Sequence, residues 1–187
     1  MLKASGARAP RVPDVPIREV VEDDAGAIAA IYAHHVVIGT ASYDLEAPPV
    51  DFHRDKIRRI VGAGLPFLVA EAEGRVAGYA YVTQFRDRAA YRFTAENSIY
   101  VQPELSGRGI GSTLLKALID RSVELGFRTI IAVIGGAEPA SIGLHENCGF
   151  REVGRLKGVG WKHERWLDSV YMQLELPGAA GIARPVR

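Results

Sequence analysis

The 187-residue sequence has one cysteine, Cys148, so no intrachain disulfide framework holds it together, and a reducing compartment suits it. It has no apolar run long enough to span a bilayer. The stretch after Met1 lacks the apolar segment of a signal peptide. These absences predict a cytoplasmic protein. The net charge is only +1, which removes the electrostatic basis for nucleic-acid or membrane-surface binding. His34 and His35 have no Cys, His or carboxylate cluster at ligand spacing around them, so no metal site is expected. No Gly-Lys-Ser/Thr occurs, which excludes a Walker nucleotide site.

What is present is an ordinary globular composition, 48% apolar and 24% charged, at a length that suits one domain. Residues 1–16 carry Pro10, Pro13 and Pro16 with few apolar residues, and 177–187 carry Pro177, Gly178, Gly181 and Pro185. Both read as flexible tails around a single domain at 17–176.

Within it, Ile17–Val21 reads as a strand, and Asp23 or Asp24 can cap the helix that follows. Ile28, Ile31, Tyr32, His35 and Val36 mark one face of that helix, and Gly39 ends it. The loop from Thr40 to Glu46 could line a substrate mouth. A second helix over about 51–61 turns Ile57, Ile60 and Val61 inward and Arg54, Lys56, Arg58 and Arg59 to solvent. Residues 66–72 and 75–83 make a hairpin across Glu73-Gly74. Residues 94–102 form a central strand, and a long helix runs to about Leu125, stopped by Gly126. The near-continuous apolar run 127–134 marks a strand buried on both faces. A short helix over 140–147 and strands over 150–157 and 169–176 complete the chain, with Trp161 and Trp166 in the last connection. The order predicts an α/β fold with a mixed sheet flanked by helices.

One stretch organises the chain. In Glu104-Leu-Ser-Gly-Arg-Gly-Ile-Gly-Ser-Thr-Leu-Leu115, Gly107, Gly109 and Gly111 sit where a strand turns into a helix. Glycine permits positive φ and close approach of a ligand to the main chain. The unpaired N–H groups of the helix start and its dipole favour an anion. The stretch therefore reads as a phosphate or pyrophosphate cradle. Its G-x-G-x-G spacing and mid-chain position disfavour a Rossmann dinucleotide site.

Ser106-Gly-Arg-Gly-Ile-Gly111 resembles the acetyl-CoA loop of the GNAT N-acetyltransferases, Gln/Arg-x-x-Gly-x-Gly/Ala, with Ser106 in place of the first residue. Further on, Ser141-Ile-Gly-Leu-His-Glu146, Gly149-Phe150 and Gly160-Trp-Lys-His163 resemble the phosphinothricin acetyltransferase branch, which includes methionine sulfoximine and methionine sulfone acetyltransferases. The resemblance covers residues 17–176. It implies the GNAT fold, a homodimer with a contact near Trp161–Trp166, and transfer of acetyl from acetyl-CoA to the α-amine of a small amino acid or analogue. Herbicide or antibiotic resistance is a corollary.

By the same resemblance, Glu96 is the general base and His145 stands where many relatives place a tyrosine that reprotonates the leaving thiolate. Ile99, Tyr100 and Val101 would pair with the pantetheine arm, and Gly107, Arg108, Gly109, Ile110, Gly111 and Ser112 would hold the pyrophosphate. Glu138, where many relatives have asparagine, and Asn147 belong to the same cofactor set. Arg86 would bind the α-carboxylate, beside Asp87 and Arg88, and Glu96, Asn97 and Ser98 would face it. The chemistry fits these roles: an α-amino group with a pKa of ~7.7–8.0 is mostly protonated at neutral pH and must lose a proton before it can attack. The competing readings are a transferase for a polyamine, an antibiotic or a protein N-terminus, and a non-catalytic acetyl-CoA-binding module. Arg86 speaks against a polyamine, whose site should offer carboxylates.

Overall fold

The computed structural model describes residues 15–177. The chain runs β1 (Ile17–Glu19), α1 (Ala25–Val37), α2 (Val50–Gly62), β2 (Phe67–Ala72), β3 (Arg75–Gln84), β4 (Thr94–Val101), α3 (Ile110–Glu124), β5 (Thr129–Gly135), α4 (Pro139–Glu146), β6 (Arg151–Lys162) and β7 (Arg165–Glu175). This is the predicted order of strands and helices. Among the described residues the strands form one mixed seven-stranded sheet, β1-β2-β3-β4-β5-β7-β6, in which β4 and β5 run parallel and the other neighbours antiparallel.

Side-chain alternation divides the sheet into two apolar faces. Phe67, Val69, Tyr79 and Tyr81 pack with Ile28, Ile31, Ile57 and Ile60 of α1 and α2. On the other face, Leu68, Ala70, Ala80, Val82 and Ala95 pack with Leu114, Leu115 and Leu118 of α3. Each of these fully buried leucines contributes ~1.5–3 kcal/mol. Glu73 and Gly74 both have positive φ, +55° and +71°, and close the β2–β3 hairpin.

Several expectations need correction. The fold begins before Ile17: Val15 packs in the α3-side core, and Pro16 O accepts a hydrogen bond from Glu71 N–H. The rest of the two expected tails, 1–14 and 178–187, lies outside the described residues. The first strand stops at Glu19, because the Asp24 carboxylate turns back to the Val21 N–H and to Arg18 rather than capping α1. On α2 the inward face is His53, Ile57 and Ile60, spaced i, i+4, i+7, while Val61 is exposed. Lys56 does not simply face solvent; its ammonium lies over the rings of Tyr32, Phe52 and Tyr81. The final hairpin is longer than expected. Trp161 and Trp166 lie on paired strands, and the turn is His163-Glu164, both at positive φ without a glycine. The strand continues through Gly158 and Gly160: Gly158 lies within a register shift between Leu156 and Gly160 inside β6.

His53 is 1% exposed, its Nε2 has no hydrogen-bond partner, and burial pushes its pKa down to about 4 from 6.5. The folded state therefore favours neutral His53. Its contribution to stability is complete above pH 6.5 and is lost as pH falls toward 4, by up to ~3 kcal/mol. Urea unfolding at pH 7 and pH 5 should show this loss, and His53→Leu should shrink the pH 7 to pH 5 difference. An unchanged difference removes His53 as its source.

Candidate active site

The site is made by an interruption in the sheet. β4 and β5 pair only from Thr94–Thr129 to Asn97–Ala132, although β4 continues to Val101 and β5 to Gly135. Beyond that point the strands part. Gln102 N–H donates to Ala77 O and Phe85 N–H to Thr94 O, so even-numbered residues of this segment bond with β3. Odd-numbered residues turn the other way, as Phe93 O shows by accepting from Arg128 N–H at 2.8 Å. The N–H and C=O of Ile99 and Val101 thus face the opening, where β5 offers no ladder partner. Val101 O accepts a hydrogen bond from His35 Nε2 at 2.9 Å.

At the far end of the opening lies the glycine stretch. Gly107 and Gly109 have φ of +75° and +94°, conformations that cost other residues ~1–2 kcal/mol. Gly109 is the N-cap of α3, and no side chain caps this helix. The first-turn N–H groups, of Ile110, Gly111 and Ser112, are therefore open to an anion. Arg108 Nε is enclosed without a hydrogen-bond partner. Gly111 serves packing instead: a Cβ there would lie 3.2 Å from Leu144 Cδ2 of α4.

Where the strands begin to part, a cavity of about 230 Å³ opens, lined by residues 96–100 of β4, 132–135 of β5, Ser141 and His145 of α4, and residues 41–43. Glu96 is half-buried. Burial raises its carboxyl pKa above 4.5, and the Arg86 guanidinium, 3.7 Å away, opposes the shift. Arg86 is exposed, stacks on the Phe85 ring and donates to Phe85 O. Asn97 and His145 are buried and bonded to each other at 3.0 Å. Ser98, Ile99 and Tyr100 line the same cavity.

Not every expected residue converges. Asp87 and Arg88 are exposed on the connector and away from the cavity wall. Glu138 occupies the N-cap of α4 and Asn147 its exposed C-cap, and neither lines the cavity. Among the described residues no group of His, Cys, Asp or Glu is arranged to hold a metal ion.

The loop after α1 contributes a wall. Tyr32 OH donates to Asp44 Oδ2 and bonds the Ser42 hydroxyl, and the buried Lys162 ammonium donates to Ser42 O at 2.7 Å. Tyr43 OH donates to Asp168 O and meets the Ser169 hydroxyl, while its ring lies against Gly160. The sequence shows the polar loop but not the staples, because Lys162 and Ser169 lie more than a hundred residues away.

A sheet parted beside an uncapped, glycine-led helix start, with a half-buried carboxylate at the apex, is an arrangement that suits an acyl-group transferase. The chain belongs to the acetyltransferase (GNAT) family, whose profile matches residues 28–150. It is similar to phosphinothricin N-acetyltransferase of Alcaligenes faecalis, 46% identical across 92% of this chain and 94% of that protein. The L-methionine sulfoximine/L-methionine sulfone acetyltransferase of Salmonella typhimurium is 36% identical across 86% and 94%. The crystal structure of a phosphinothricin acetyltransferase from Sinorhizobium meliloti in complex with acetyl-CoA superposes with a TM-score of 0.89, at 44% identity over 92% and 94% of the two chains.

Proposed function

We propose that this protein transfers the acetyl group of acetyl-CoA to the α-amino group of a small amino acid or analogue, with phosphinothricin, methionine sulfoximine and methionine sulfone as the substrate class. The observation that carries the reading is Glu96: a half-buried carboxylate at the point where β4 leaves β5, with Arg86 3.7 Å away. The relatives support it by name. The residues fit the cofactor on this chain's own geometry. An uncapped helix start and an unpartnered Arg108 Nε suit a pyrophosphate, and the open edge at Ile99 and Val101 suits an amide-bearing arm.

When bound, acetyl-CoA supplies a thioester carbon open to attack by an amine. Arg86 holds the acceptor's carboxylate; a planar guanidinium meets it with two parallel hydrogen bonds. Glu96 takes the proton from the acceptor ammonium, directly or through water, and its raised pKa brings it closer to the amine's. The Ile99 N–H faces the opening and donates to the carbonyl oxygen as negative charge develops there. Attack would be direct, in a ternary complex with no covalent enzyme intermediate: the N–C bond would form as the thioester C–S bond breaks, and the coenzyme would leave as its thiol, taking up through water the second proton shed by the amine nitrogen.

Two settings go with this reading. The protein works in the cytoplasm, where Cys148 stays reduced. It pairs as a homodimer through the β6–β7 hairpin, on which Leu156, Val159, Trp161 and Trp166 are exposed. Equilibrium sedimentation should then give twice the 20.3 kDa chain mass, and a monomer rules the pairing out. The same chemistry would confer resistance to amino-acid-analogue herbicides and antibiotics.

The test is thiol release from acetyl-CoA with each of the three analogues and with polyamines. Turnover with polyamines alone overturns the substrate class. kcat/KM should fall as pH drops through the Glu96 pKa, above 4.5, because only the carboxylate accepts a proton. Glu96→Gln should lower kcat by about 10²-fold or more and erase that limb while acetyl-CoA still binds; wild-type kcat in this variant removes Glu96 from the role. Arg86→Ala should raise KM for the amino-acid acceptor by roughly tenfold or more, and an unaltered KM moves carboxylate binding elsewhere.

A further inference from the structure

One polar chain on the cavity wall is unused by this chemistry. His145 is 2% exposed, and its ring packs edge-on against Phe150 at 5.0 Å. Its Nδ1 lies 2.8 Å from Ser141 O. A carbonyl only accepts, so Nδ1 carries the hydrogen. In the neutral ring Nε2 is then an acceptor, and burial, by lowering the ring's pKa, favours the neutral form. The Asn97 side-chain nitrogen stands 3.0 Å from Nε2 and donates to it. Hydrogen bonds therefore run in one direction, from Asn97 through His145 to the Ser141 carbonyl.

That direction decides which end of the Asn97 amide is oxygen. The remaining atom, Asn97 Oδ1, is enclosed and has no hydrogen-bond partner, on a residue only 6% exposed. An unmet buried acceptor is expensive. Asn97 is also the last β4 residue paired with β5, and it lines the cavity. The residue that carries the unmet oxygen therefore stands where the open edge begins. Its side chain shares the α3 face with Ile99 and Val101, while Glu96, one residue earlier, points to the opposite face.

We propose that His145 is a positioning residue, which holds the Asn97 amide so that Oδ1 is a fixed acceptor for an N–H of a bound ligand at the apex of the opening. This rests on the acetyl-transfer reading above. Two N–H groups can arrive there, an amide of the pantetheine arm and the acceptor amine, and the oxygen suits either. The arrangement leaves Nε2 no hydrogen to give. A proton-donor role would need a hydrogen on Nε2, which would face the Asn97 amino group.

The NMR spectrum of protein labelled with ¹⁵N-histidine, at pH 7.5 and without ligands, should show His145 neutral with its hydrogen on Nδ1. A hydrogen on Nε2 overturns the proposal. His145→Leu and Asn97→Ala should each weaken one ligand by about tenfold, the cost of one lost charge-free hydrogen bond and a disordered amide. Calorimetric titration with acetyl-CoA alone reads the cofactor arm, and KM for phosphinothricin reads the amine arm. His145→Gln, whose side-chain oxygen can stand in for Nε2, should recover most of what His145→Leu loses. The double variant His145→Leu/Asn97→Ala should lose no more than either single one. Equal losses of kcat in His145→Gln and His145→Leu, with both affinities intact, would make His145 a proton donor and overturn the proposal. So would unchanged affinities and rates throughout. Thermal melts confirm that each variant folds. If wild-type protein turns over no analogue, the acetyl-transfer reading fails, while the NMR and acetyl-CoA titrations still decide the relay.

Discussion

The parallel contact between β4 and β5 lasts from Thr94–Thr129 to Asn97–Ala132 and then stops, while both strands go on. The rest of the molecule depends on that early stop. A parallel pair that continued would have consumed the Ile99 and Val101 main-chain groups, and no slot would reach from the glycine cradle to Glu96. Both strands keep their outer partners through the gap: β3 stays paired with β4 to Val101, and β7 with β5 to Gly135. Each side of the slot is thus rigid although the slot itself is open. The two apolar faces, with α1 and α2 on one and α3 on the other, hold the halves of the sheet at the separation the slot needs.

Strand alternation then sorts the chemistry. Glu96 and Asn97 are neighbours in sequence but address opposite faces of the sheet. On the α1 side lies the carboxylate, with the stapled loop of Ala41, Ser42 and Tyr43 on the same cavity. On the α3 side lie Asn97, His145 and the helix whose N-terminus forms the cradle. The period-two alternation of a strand turns the adjacent side chains of Glu96 and Asn97 to opposite faces.

Much of this was legible in the sequence, for physical reasons. The strand-to-helix glycines need positive φ wherever they fall, so Gly107 and Gly109 announce a cradle locally. The apolar run before Gly135 announces a doubly covered strand. Glu96, Ile99 and His145 were singled out through the family resemblance, and the fold brings all three to one cavity. The long-range features were not. Nothing local to Lys162 shows that its ammonium reaches Ser42 O, and nothing local to Gly160 shows Tyr43 lying against it. Nor does sequence tell where a parallel ladder ends, since residues after the break carry the same β-branched and aromatic character as those before it. The last hairpin was misjudged for the converse reason. Its turn, His163-Glu164, uses positive φ without the residues that normally signal it.

What the glycine stretch and the open edge present is mainly backbone: N–H groups of α3's uncapped first turn, and N–H and C=O of β4 beyond its pairing with β5. Main-chain contacts are blind to most substitutions that leave the local conformation intact. The other walls of the cavity are side chains: Glu96 with Arg86 beside it, and the loop held by Tyr43 and Ser42. Mutational drift is therefore channelled. If acetyl transfer is its reaction, such a scaffold changes the amine it accepts by altering a few side chains on one face, while a main-chain hold on the acyl donor is left in place.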